Sequence, residues 1–383
     1  MSSSPIGIIV NGATSRIATT QHLRGALIPM RDEGGIEIGG ELYVPDIYIV
    51  GRNAHRLERL ANELSIENWT TDLSAALNNP DYPIMFDGAI THLRTETLMR
   101  AIEAGKHIYS EKPVAPSVTE GCRLLRAAQA KGLKHGAVED KVYLPGLQKL
   151  AKLLDEGFLG EVLQFKLEFG WWVFDGIDIP CQRPSWNYRN RTGGGMISDM
   201  HPHWRYIIER LLGPISSVVA VAWTATPRRV DEDGTHYKVD VEDSTAALIE
   251  LRSGIIGSLN ASWATRVWND EPLAFHIDGT LGSAIAGPQA CHSQSYADTP
   301  AVTWNLTSKS STQNSENWRE ILDPIRDMNS YRVGWEGFLS HVIANTPFSS
   351  TFEAGIRDVK LAEACLRSHS ERRWVSMDDR VNN

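Results

Sequence analysis

The chain has 383 residues, enough for two or three domains, and its 42% hydrophobic and 22% charged residues are typical of globular proteins. A formal net charge of -9 argues against a protein that binds nucleic acid or a membrane surface, because both need a net cationic face. Four cysteines without a CxxC pair indicate neither a zinc cluster nor a disulfide framework. The N-terminus has only a short apolar run and no basic residues before it, so we expect a cytoplasmic protein without a membrane anchor.

Strand-like and helix-like stretches alternate through the first 140 residues. Apolar runs typical of buried parallel strands occur at 6–10, 46–50, 84–86 and 107–109, with helical patterns at 54–64 and 95–105. This alternation predicts an α/β fold whose N-terminal domain, residues 1–142, is a doubly wound parallel sheet of the Rossmann type. The glycine-containing link 24–45 interrupts the first crossover and is predicted to be a long loop.

The pattern changes from residue 143 onward. After a helix at 147–155, hydrophobic and polar residues alternate in the manner of strands with one covered face, at 162–169, 217–223, 245–251, 255–261 and 273–278. Helical patterns at 333–343 and 352–369 close the chain. We therefore expect a second α/β domain over 143–383, built on a large, mostly antiparallel open sheet.

The turn after the first strand, NGATSRIA at 11–18, is the first candidate site. Turns of this kind bring backbone N–H groups and a helix N-terminus to a pyrophosphate. The turn contains one glycine, so a plain strand-to-helix connection is the alternative; its place between the first strand and a helix favours a dinucleotide site. The candidate residues are Gly12, Thr14, Ser15, Arg16 and Ile17.

The second strand ends in VGRN, where NAD-binding proteins usually carry an acid for the adenosine ribose. Arg52 stands there instead and suits either a 2'-phosphate of NADP or stacking on the adenine of NAD. A solvated arginine at a helix start is the third possibility. The sequence leaves NAD and NADP both open.

Glu111, Lys112 and Pro113 follow the strand at 107–109. A lysine at the carboxyl end of a parallel strand points into the crevice where such folds bind ligands, and its ammonium can help a substrate hydroxyl to lose its proton. As an isolated tripeptide, EKP also fits a surface lysine before a turn.

The segment GGGMISDMHPHWR, residues 193–205, places Asp199 and His203 four residues apart on one face of a helix. Asp199 is expected to hold the His203 imidazole in one tautomer while that ring accepts a hydroxyl proton. Pro202 fits if it lies in the first helical turn. Two alternatives remain: Asp199 as an N-cap, and a metal at His201 and His203, for which no third His or Cys ligand is evident. We predict no metal.

Lys112 in EKP, the glycine run and the Asp199-x-x-x-His203 spacing together resemble the Gfo/Idh/MocA family of sugar and polyol oxidoreductases. The resemblance follows the chain in order and implies a Rossmann domain followed by an α/β domain that binds substrate and often forms oligomer contacts. It implies Lys112 and His203 as the acid/base pair, Asp199 as a substrate-orienting residue, and Glu111 and Lys112 beside the cofactor. A homo-oligomer, a dimer or a tetramer, is expected on the same ground.

The segment 183–205 contains four arginines and one acid, with aromatic residues interleaved. Aromatic faces stack on sugars and arginines grip anions, so we expect a cationic pocket for an anionic sugar or glycoside. Pairing of these arginines with acids elsewhere, an oligomer interface, or core tryptophans are the alternatives. The candidate substrate residues are Lys141, Trp172, Arg183, Trp186, Tyr188, Arg189, Asp199 and His203.

The leading functional hypothesis is an NAD(P)-dependent enzyme that removes hydride from a hydroxyl-bearing ring carbon of a sugar or glycoside. The stretches FLGEVL and RPSWNYR look similar to the branch of the family that uses NAD for redox-neutral cleavage of sulfoquinovosides. The alternatives are a simple sugar or polyol dehydrogenase and, in another class, a non-catalytic sugar or dinucleotide sensor.

Overall fold

Apolar residues fill every position from Ile8 to Val10 because the first strand is covered on both faces. The computed structural model describes residues 3–172, 176–181, 183–267, 271–300, 317–322 and 329–378. In its first sheet the strand order is β2-β3-β1-β5-β6-β7, with β4 paired to β3. The strands are β1 Ser3–Asn11, β2 Ile36–Ile38, β3 Glu41–Val50, β4 Asn68–Thr70, β5 Ile84–Asp87, β6 His107–Ser110 and β7 His135–Ala137.

Helices cover both faces of this sheet. Ile8 and Val10 pack on one side together with Trp335 and Phe338, while Ile9 packs on the other. All pairings are parallel except that of β2 with β3, so the predicted Rossmann-type domain is confirmed. The helices of the first unit are α1 Ile28–Asp32, α2 Ala54–Leu64, α3 Leu73–Leu77, α4 Thr91–Glu103, α5 Val118–Ala130 and α8 Ser330–Ala344, with a π-helix at Ala18–Leu27 and α9 Phe352–Glu371 beginning here.

The link 24–45 is not the long loop that the sequence predicted. The π-helix Ala18–Leu27 runs directly into α1, and the Ile28 N–H bonds to the Leu23 carbonyl five residues earlier. After α1 the chain forms the short strand β2, which pairs antiparallel with β3, and β3 begins at Glu41 rather than at residue 46. The glycines at 34–35 and 39–40, all with positive φ, serve the turns on either side of β2.

The second sheet has nine strands in the order β17-β16-β15-β14-β8-β13-β12-β9-β18. Along β8, Phe165, Leu167 and Phe169 are buried while the residues between them are exposed, which is the alternation of a sheet with one covered face. Only the pairing of β8 with β13 is parallel among the described pairings of this sheet. The predicted large, mostly antiparallel sheet is therefore confirmed.

The remaining elements complete this second unit. Its described strands are β8 Val162–Gly170, β9 Ile215–Trp223, β10 Arg228–Val230, β11 His236–Lys238, β12 Ser244–Leu251, β13 Ile256–Ser262, β14 Leu273–Gly279, β15 Gly282–Ala286, β16 Cys291–Ser295, β17 Arg319–Glu320 and β18 Val375–Ser376. Its helices are α6 Pro145–Asp155 and α7 Met196–Leu212, with short 3-10 turns at Asp140–Tyr143, Ser185–Tyr188 and Asn190–Thr192.

The chain divides into two compact units. The first comprises Met1–Asp140 and Met328–Leu361, and the second comprises Lys141–Asp327 and Ala362–Asn383. The segment that carries α8 thus packs with the Rossmann sheet, although it follows the sequence boundary that we drew between residues 142 and 143. Within the described ranges, none of the helices combines the length and apolar character needed to cross a bilayer.

Candidate functional site

Gly12 turns the chain at the carboxyl end of β1, which lies between β3 and β5. Its φ of +72° belongs to the left-handed region, and a Cβ there would lie 2.8 Å from the Ala89 nitrogen. Ser15 continues the turn: its hydroxyl donates to the Gly88 carbonyl at 3.1 Å and accepts from the Ala18 N–H. Thr14 and Ile17 are half-buried beside it and Arg16 is exposed. The open start of the following helix supplies N–H groups suited to a pyrophosphate.

Replacing Gly12 with alanine is expected to destabilise the protein by more than Gly105→Ala and to weaken cofactor binding. Gly105 has nearly the same φ, +75°, but nothing lies within 4 Å of a Cβ there, so it reports only the backbone cost of about 1–2 kcal/mol. The additional contact with Ala89 is present only at Gly12. Urea unfolding and NAD(H) titration of both variants measure the difference, and equal behaviour of the two would contradict this account of the turn.

A buried ion pair links this turn to the EKP segment. Asn11 donates to Asp87 at 2.7 Å, and the Arg94 Nε donates to the other Asp87 oxygen at 2.9 Å. Arg94 also donates to the carbonyls of Pro113 and Ala89, and both members of the pair are buried. The guanidinium therefore holds together the ends of three strands. The sequence analysis missed this pair; the acid directly after the strand at 84–86 is the signal that indicates it.

Glu111 is fixed from inside the first unit. The Trp335 Nε1 donates to the His22 Nδ1 at 3.0 Å, so the His22 proton lies on Nε2, which donates to Glu111 at 2.9 Å. The other Glu111 oxygen accepts the Lys112 N–H at 3.1 Å. Lys112 is half-buried at the carboxyl end of β6, and its peptide bond to Pro113 is cis. The EKP backbone is thus positioned by a buried histidine that the sequence analysis did not select.

Arg52 lies where the sequence placed it, exposed immediately after β3. The neighbouring Asn53 accepts the Arg56 N–H at 3.0 Å and caps α2, so its side chain is engaged in the helix start. This arrangement leaves the Arg52 guanidinium available for either form of the cofactor.

Helix α7 begins about one turn earlier than we expected, since we placed Pro202 in its first turn. Its first residue is Met196, so Pro202 lies in the second turn and cannot bond to the Ser198 carbonyl. The same start places Asp199 inside the helix, so the interpretation of Asp199 as an N-cap is wrong. Glu242 caps the helix instead, accepting the Ile197 N–H at 3.0 Å. Burial raises the pKa of the Glu242 carboxyl.

Asp199 and His203 each contact a residue outside the pair that the sequence predicted. Arg183 donates to the Asp199 carboxylate and lies over the Trp263 ring, 4.7 Å from its centroid. The His203 Nδ1 lies 2.6 Å from the Tyr206 hydroxyl. The sequence analysis did not select Tyr206, although its i+3 spacing from His203 on the helix was a signal that could have indicated it.

The arginines of 183–205 are largely charge-compensated. Arg183 pairs with Asp199, Arg189 lies 3.6 Å from Asp231, and Arg205 lies 3.2 Å from Glu209; the fourth, Arg191, is exposed. Much of the surrounding charge comes from the acidic stretch around the β10–β11 hairpin, whose members are Asp231, Glu232, Asp233, Asp240, Glu242 and Asp243. The alternative in which the arginines pair with acids thus describes three of the four. These acidic partners offset the local positive charge on which the prediction of a cationic pocket was based.

Two of those acids hold the backbone of the segment itself. Glu232 accepts from the N–H and the hydroxyl of Ser185, and Asp240 accepts the Asn190 N–H at 2.7 Å. Burial raises the pKa of Glu232, but the hydrogen bonds from Ser185 outweigh it and the net shift is downward. The acidic stretch around the β10–β11 hairpin therefore binds both the backbone and an arginine of the basic segment 183–205.

The aromatic candidates divide by burial. Tyr188 is fully buried between Trp263 and Arg229, whose guanidinium lies 4.1 Å from its ring centroid, so it belongs to the core and not to a surface on which a sugar stacks. Trp204 is buried as well. Trp172 is 46% exposed with Arg266 over its ring, and Trp186 is half-buried. Lys141 is half-buried and donates its backbone N–H to the Tyr206 hydroxyl at 3.2 Å.

His201 is buried against Cys365. It is fully buried, and its Nδ1 lies 3.3 Å from the Cys365 sulfur. Burial lowers the pKa of His201 to about 3 and raises that of the Cys365 thiol, so both groups are neutral at pH 7. Across the residues that the structure describes, no group of three or more His, Cys, Asp or Glu side chains is arranged for a metal ion.

Acidification is expected to destabilise the protein partly through His201. Its pKa is about 3 in the folded chain and about 6.5 when unfolded, so the unfolded state binds more protons between these values. The contribution of neutral His201 to the free energy of unfolding is complete above pH 6.5 and decreases as the pH falls. At pH 5 the free energy of unfolding is lower by about 2 kcal/mol for this reason. Urea unfolding of the parent and of His201→Leu at pH 7 and pH 5 isolates this term. Equal losses in the two proteins would contradict it.

Comparison with known proteins places this arrangement in a family. Residues 44–137 match the model of an oxidoreductase family with an NAD-binding Rossmann fold, and residues 147–285 match the GFO/IDH/MocA C-terminal domain. A D-xylose dehydrogenase from Paenarthrobacter nicotinovorans is 40% identical over 380 residues, which cover 98% of each chain. The chain belongs to the Gfo/Idh/MocA family. The family resemblance predicted from EKP and the Asp199–His203 spacing is therefore confirmed.

More distant Gfo/Idh/MocA relatives agree with this assignment. A levoglucosan dehydrogenase from Pseudarthrobacter phenanthrenivorans is 28% identical over 251 residues, covering 62% of this chain and 63% of its own. The solved structure of a levoglucosan dehydrogenase in complex with NADH and levoglucosan has a TM-score of 0.81 and 21% identity, covering 98% of this chain and all of its own. This last match supports the fold. The relatives described here are dehydrogenases, and none supports the glycosidase branch.

Proposed function

We propose that this protein is an NAD(P)-dependent dehydrogenase of a neutral sugar, with D-xylose as the first candidate substrate. The D-xylose dehydrogenase that is 40% identical over 98% of the chain carries the proposal. The pairing of Arg183, Arg189 and Arg205 with acids supports a neutral substrate, because compensated arginines offer little net charge to an anion.

The first unit suits a dinucleotide. Ligands of doubly wound sheets bind outside the carboxyl ends of the strands where the strand order reverses, and the Gly12 turn lies at that point. Gly12, Thr14, Ser15, Arg16 and Ile17 would hold the pyrophosphate, and Arg52 the adenosine end. When bound, the nicotinamide supplies a hydride acceptor. Glu111 and Lys112 follow the neighbouring strand β6 in the same sheet.

Side chains of the protein accept the proton of the substrate hydroxyl. Oxidation of a carbinol breaks its C–H bond, with hydride leaving carbon, and its O–H bond, with the proton leaving oxygen, to form a carbonyl group. We assign acid/base work on that proton to Lys112 and His203, and assign substrate orientation to Asp199. Among the other substrate candidates, Lys141, Trp172 and Trp186 keep some exposure, as do the ion-paired Arg183 and Arg189.

A redox-stoichiometry assay tests the proposal. The purified protein is incubated with NAD+ or NADP+ and with D-xylose, D-glucose, levoglucosan, sulfoquinovose or a nitrophenyl glycoside. Reduced cofactor formed in proportion to an oxidised neutral sugar is the expected result, and the ratio of rates with the two cofactors decides the role of Arg52. Sulfoquinovose carries a sulfonate where D-glucose carries its 6-hydroxyl, so the comparison of these two sugars tests whether an anionic group is preferred.

Three other results would contradict the proposed function as a dehydrogenase of a neutral sugar. Release of nitrophenol with substoichiometric cofactor and no net reduction would identify redox-neutral glycoside cleavage. A marked preference for sulfoquinovose would restore the anionic substrate. Binding of sugar and dinucleotide without turnover of any substrate, unaffected by Lys112→Ala and His203→Ala, would identify a sensor.

We also propose a homo-oligomer that uses the open face of the second sheet. Val221, Leu248, Ile256 and Trp223 lie on neighbouring strands β9, β12 and β13, and between 41% and 49% of each residue is exposed. Clustered exposed apolar side chains are typical of interfaces. Light scattering that gives a monomer mass at micromolar concentration would contradict this proposal.

A further inference from the structure

Tyr206 occupies a place in α7 that the proposed function does not yet use. It follows His203 by three residues, so the two side chains lie on adjacent turns of one helical face. Its side chain is 1% exposed and the ring of His203 stands perpendicular to it, with centroids 5.6 Å apart. A tyrosine in a packed core fills this space with its ring, but its hydroxyl must find hydrogen-bond partners.

His203 and Lys141 are among the partners of this hydroxyl. Its oxygen lies 2.6 Å from the His203 Nδ1, a short hydrogen bond, and it accepts the Lys141 backbone N–H at 3.2 Å. A backbone N–H can only donate, so Lys141 always occupies one lone pair of the oxygen. The oxygen is therefore held in place by the main chain, and it holds the imidazole in turn.

We propose that Tyr206 is a positioning residue for His203. It binds Nδ1 and so fixes the ring orientation; in the tautomer that suits a base, Nδ1 carries the ring proton and donates to the Tyr206 oxygen, and Nε2 is assigned to the substrate hydroxyl. The inference rests on the proposed function of His203, although the tautomer is a property of the protein alone. It also joins two candidate substrate residues, Lys141 and His203, through one buried hydroxyl.

Two ion pairs involve residues of α7 that lie within about one turn of His203 or Tyr206. Asp199 lies one turn before His203 and is paired with Arg183, and the Arg205 guanidinium lies 5.9 Å from the Tyr206 ring centroid and is paired with Glu209. Both ion pairs join charged side chains to each other, so we expect a variant that removes only the Tyr206 hydroxyl to leave them in place.

Tyr206→Phe tests the inference, because it removes the hydroxyl and keeps the ring. Tyr82→Phe is the matched control: Tyr82 is also buried, and its hydroxyl donates to Asp46, but it lies in the first unit and has no contact with His203. In Tyr206→Phe we expect the ring nitrogen-15 shifts of His203 to change in the cofactor-free protein. Turnover should fall about tenfold with little change in KM, and the acidic limb of the pH–rate profile should move. Tyr82→Phe should change none of these.

Several outcomes discriminate between the possibilities. Unchanged His203 nitrogen shifts and an unmoved pH profile in Tyr206→Phe would overturn the inference, since a merely structural tyrosine changes neither. The parent protein provides a second measurement if the variant does not fold, because a mixture of His203 tautomers there would also overturn it. Altered nitrogen shifts together with no turnover of any sugar by the parent would retain the positioning role and overturn the proposed function instead.

Discussion

Replacing Lys112 with methionine is expected to lower kcat by roughly 10²- to 10⁴-fold, the usual contribution of a positioned acid/base group. Methionine keeps much of the length of the side chain and removes the ammonium. Because the lost interaction acts on the reacting hydroxyl rather than on the bound cofactor, KM for the dinucleotide should change little. Steady-state kinetics on the best neutral sugar, with a cofactor titration by tryptophan fluorescence, measures both quantities.

Lys131→Met is the control for this experiment. Lys131 lies in the same unit, is exposed, and donates to the Glu103 carbonyl at the end of α4, so its replacement tests the loss of a lysine away from EKP. We expect parental kcat from it. A Lys112→Met protein that retains activity within threefold would remove Lys112 from the proposed chemistry while leaving the family assignment intact.

Arg94→Met is expected to destabilise the protein by about 3–5 kcal/mol, because it leaves the buried Asp87 carboxylate without its cation. It also removes donors from the carbonyls of Pro113 and Ala89, so the turn and the EKP segment lose their common anchor. We therefore expect weaker cofactor binding in addition to a lower free energy of unfolding. Urea denaturation and NAD(H) titration measure the two effects separately.

Two further variants distinguish the effect of an unpaired buried charge on stability from the effect of losing an arginine in general. Arg24→Met removes an exposed partner of Glu63 and should cost less than about 1 kcal/mol. The double variant Asp87→Asn/Arg94→Met should be more stable than Arg94→Met alone, because the unpaired buried charge is gone. An Arg94→Met protein as stable as Arg24→Met would show that the Asp87 site is readily hydrated.

The arginine-rich segment illustrates a limit of reading charge along the chain. Counted locally, residues 183–205 carry four arginines and one acid, which favoured an anionic ligand. Their partners include Asp231, 42 positions after Arg189, on a hairpin whose acidic composition was visible in the sequence but whose location was not. Charge is compensated in three dimensions, so a local excess predicts a binding site only where no distant segment of opposite sign folds against it.

The sequence by itself determined the elements and the family. Local periodicity predicted α2 at its observed bounds and nine of the eighteen described strands to within five residues, because alternation and helical spacing are properties of neighbouring positions. The family resemblance was likewise recognised from short segments of the sequence, which contain Lys112, Asp199 and His203.

Only the tertiary structure decided which polar groups meet. Tyr188 is buried beneath Arg229, Glu242 caps α7 from 45 positions away in the chain, and His22 reaches Glu111 across 89 positions. The same holds for the hydroxyl of Tyr206, which Lys141 fixes from a different segment. Elements follow from local pattern, whereas hydrogen-bond and ion-pair partners follow from packing, since a buried polar group must be satisfied by whatever the fold brings to it.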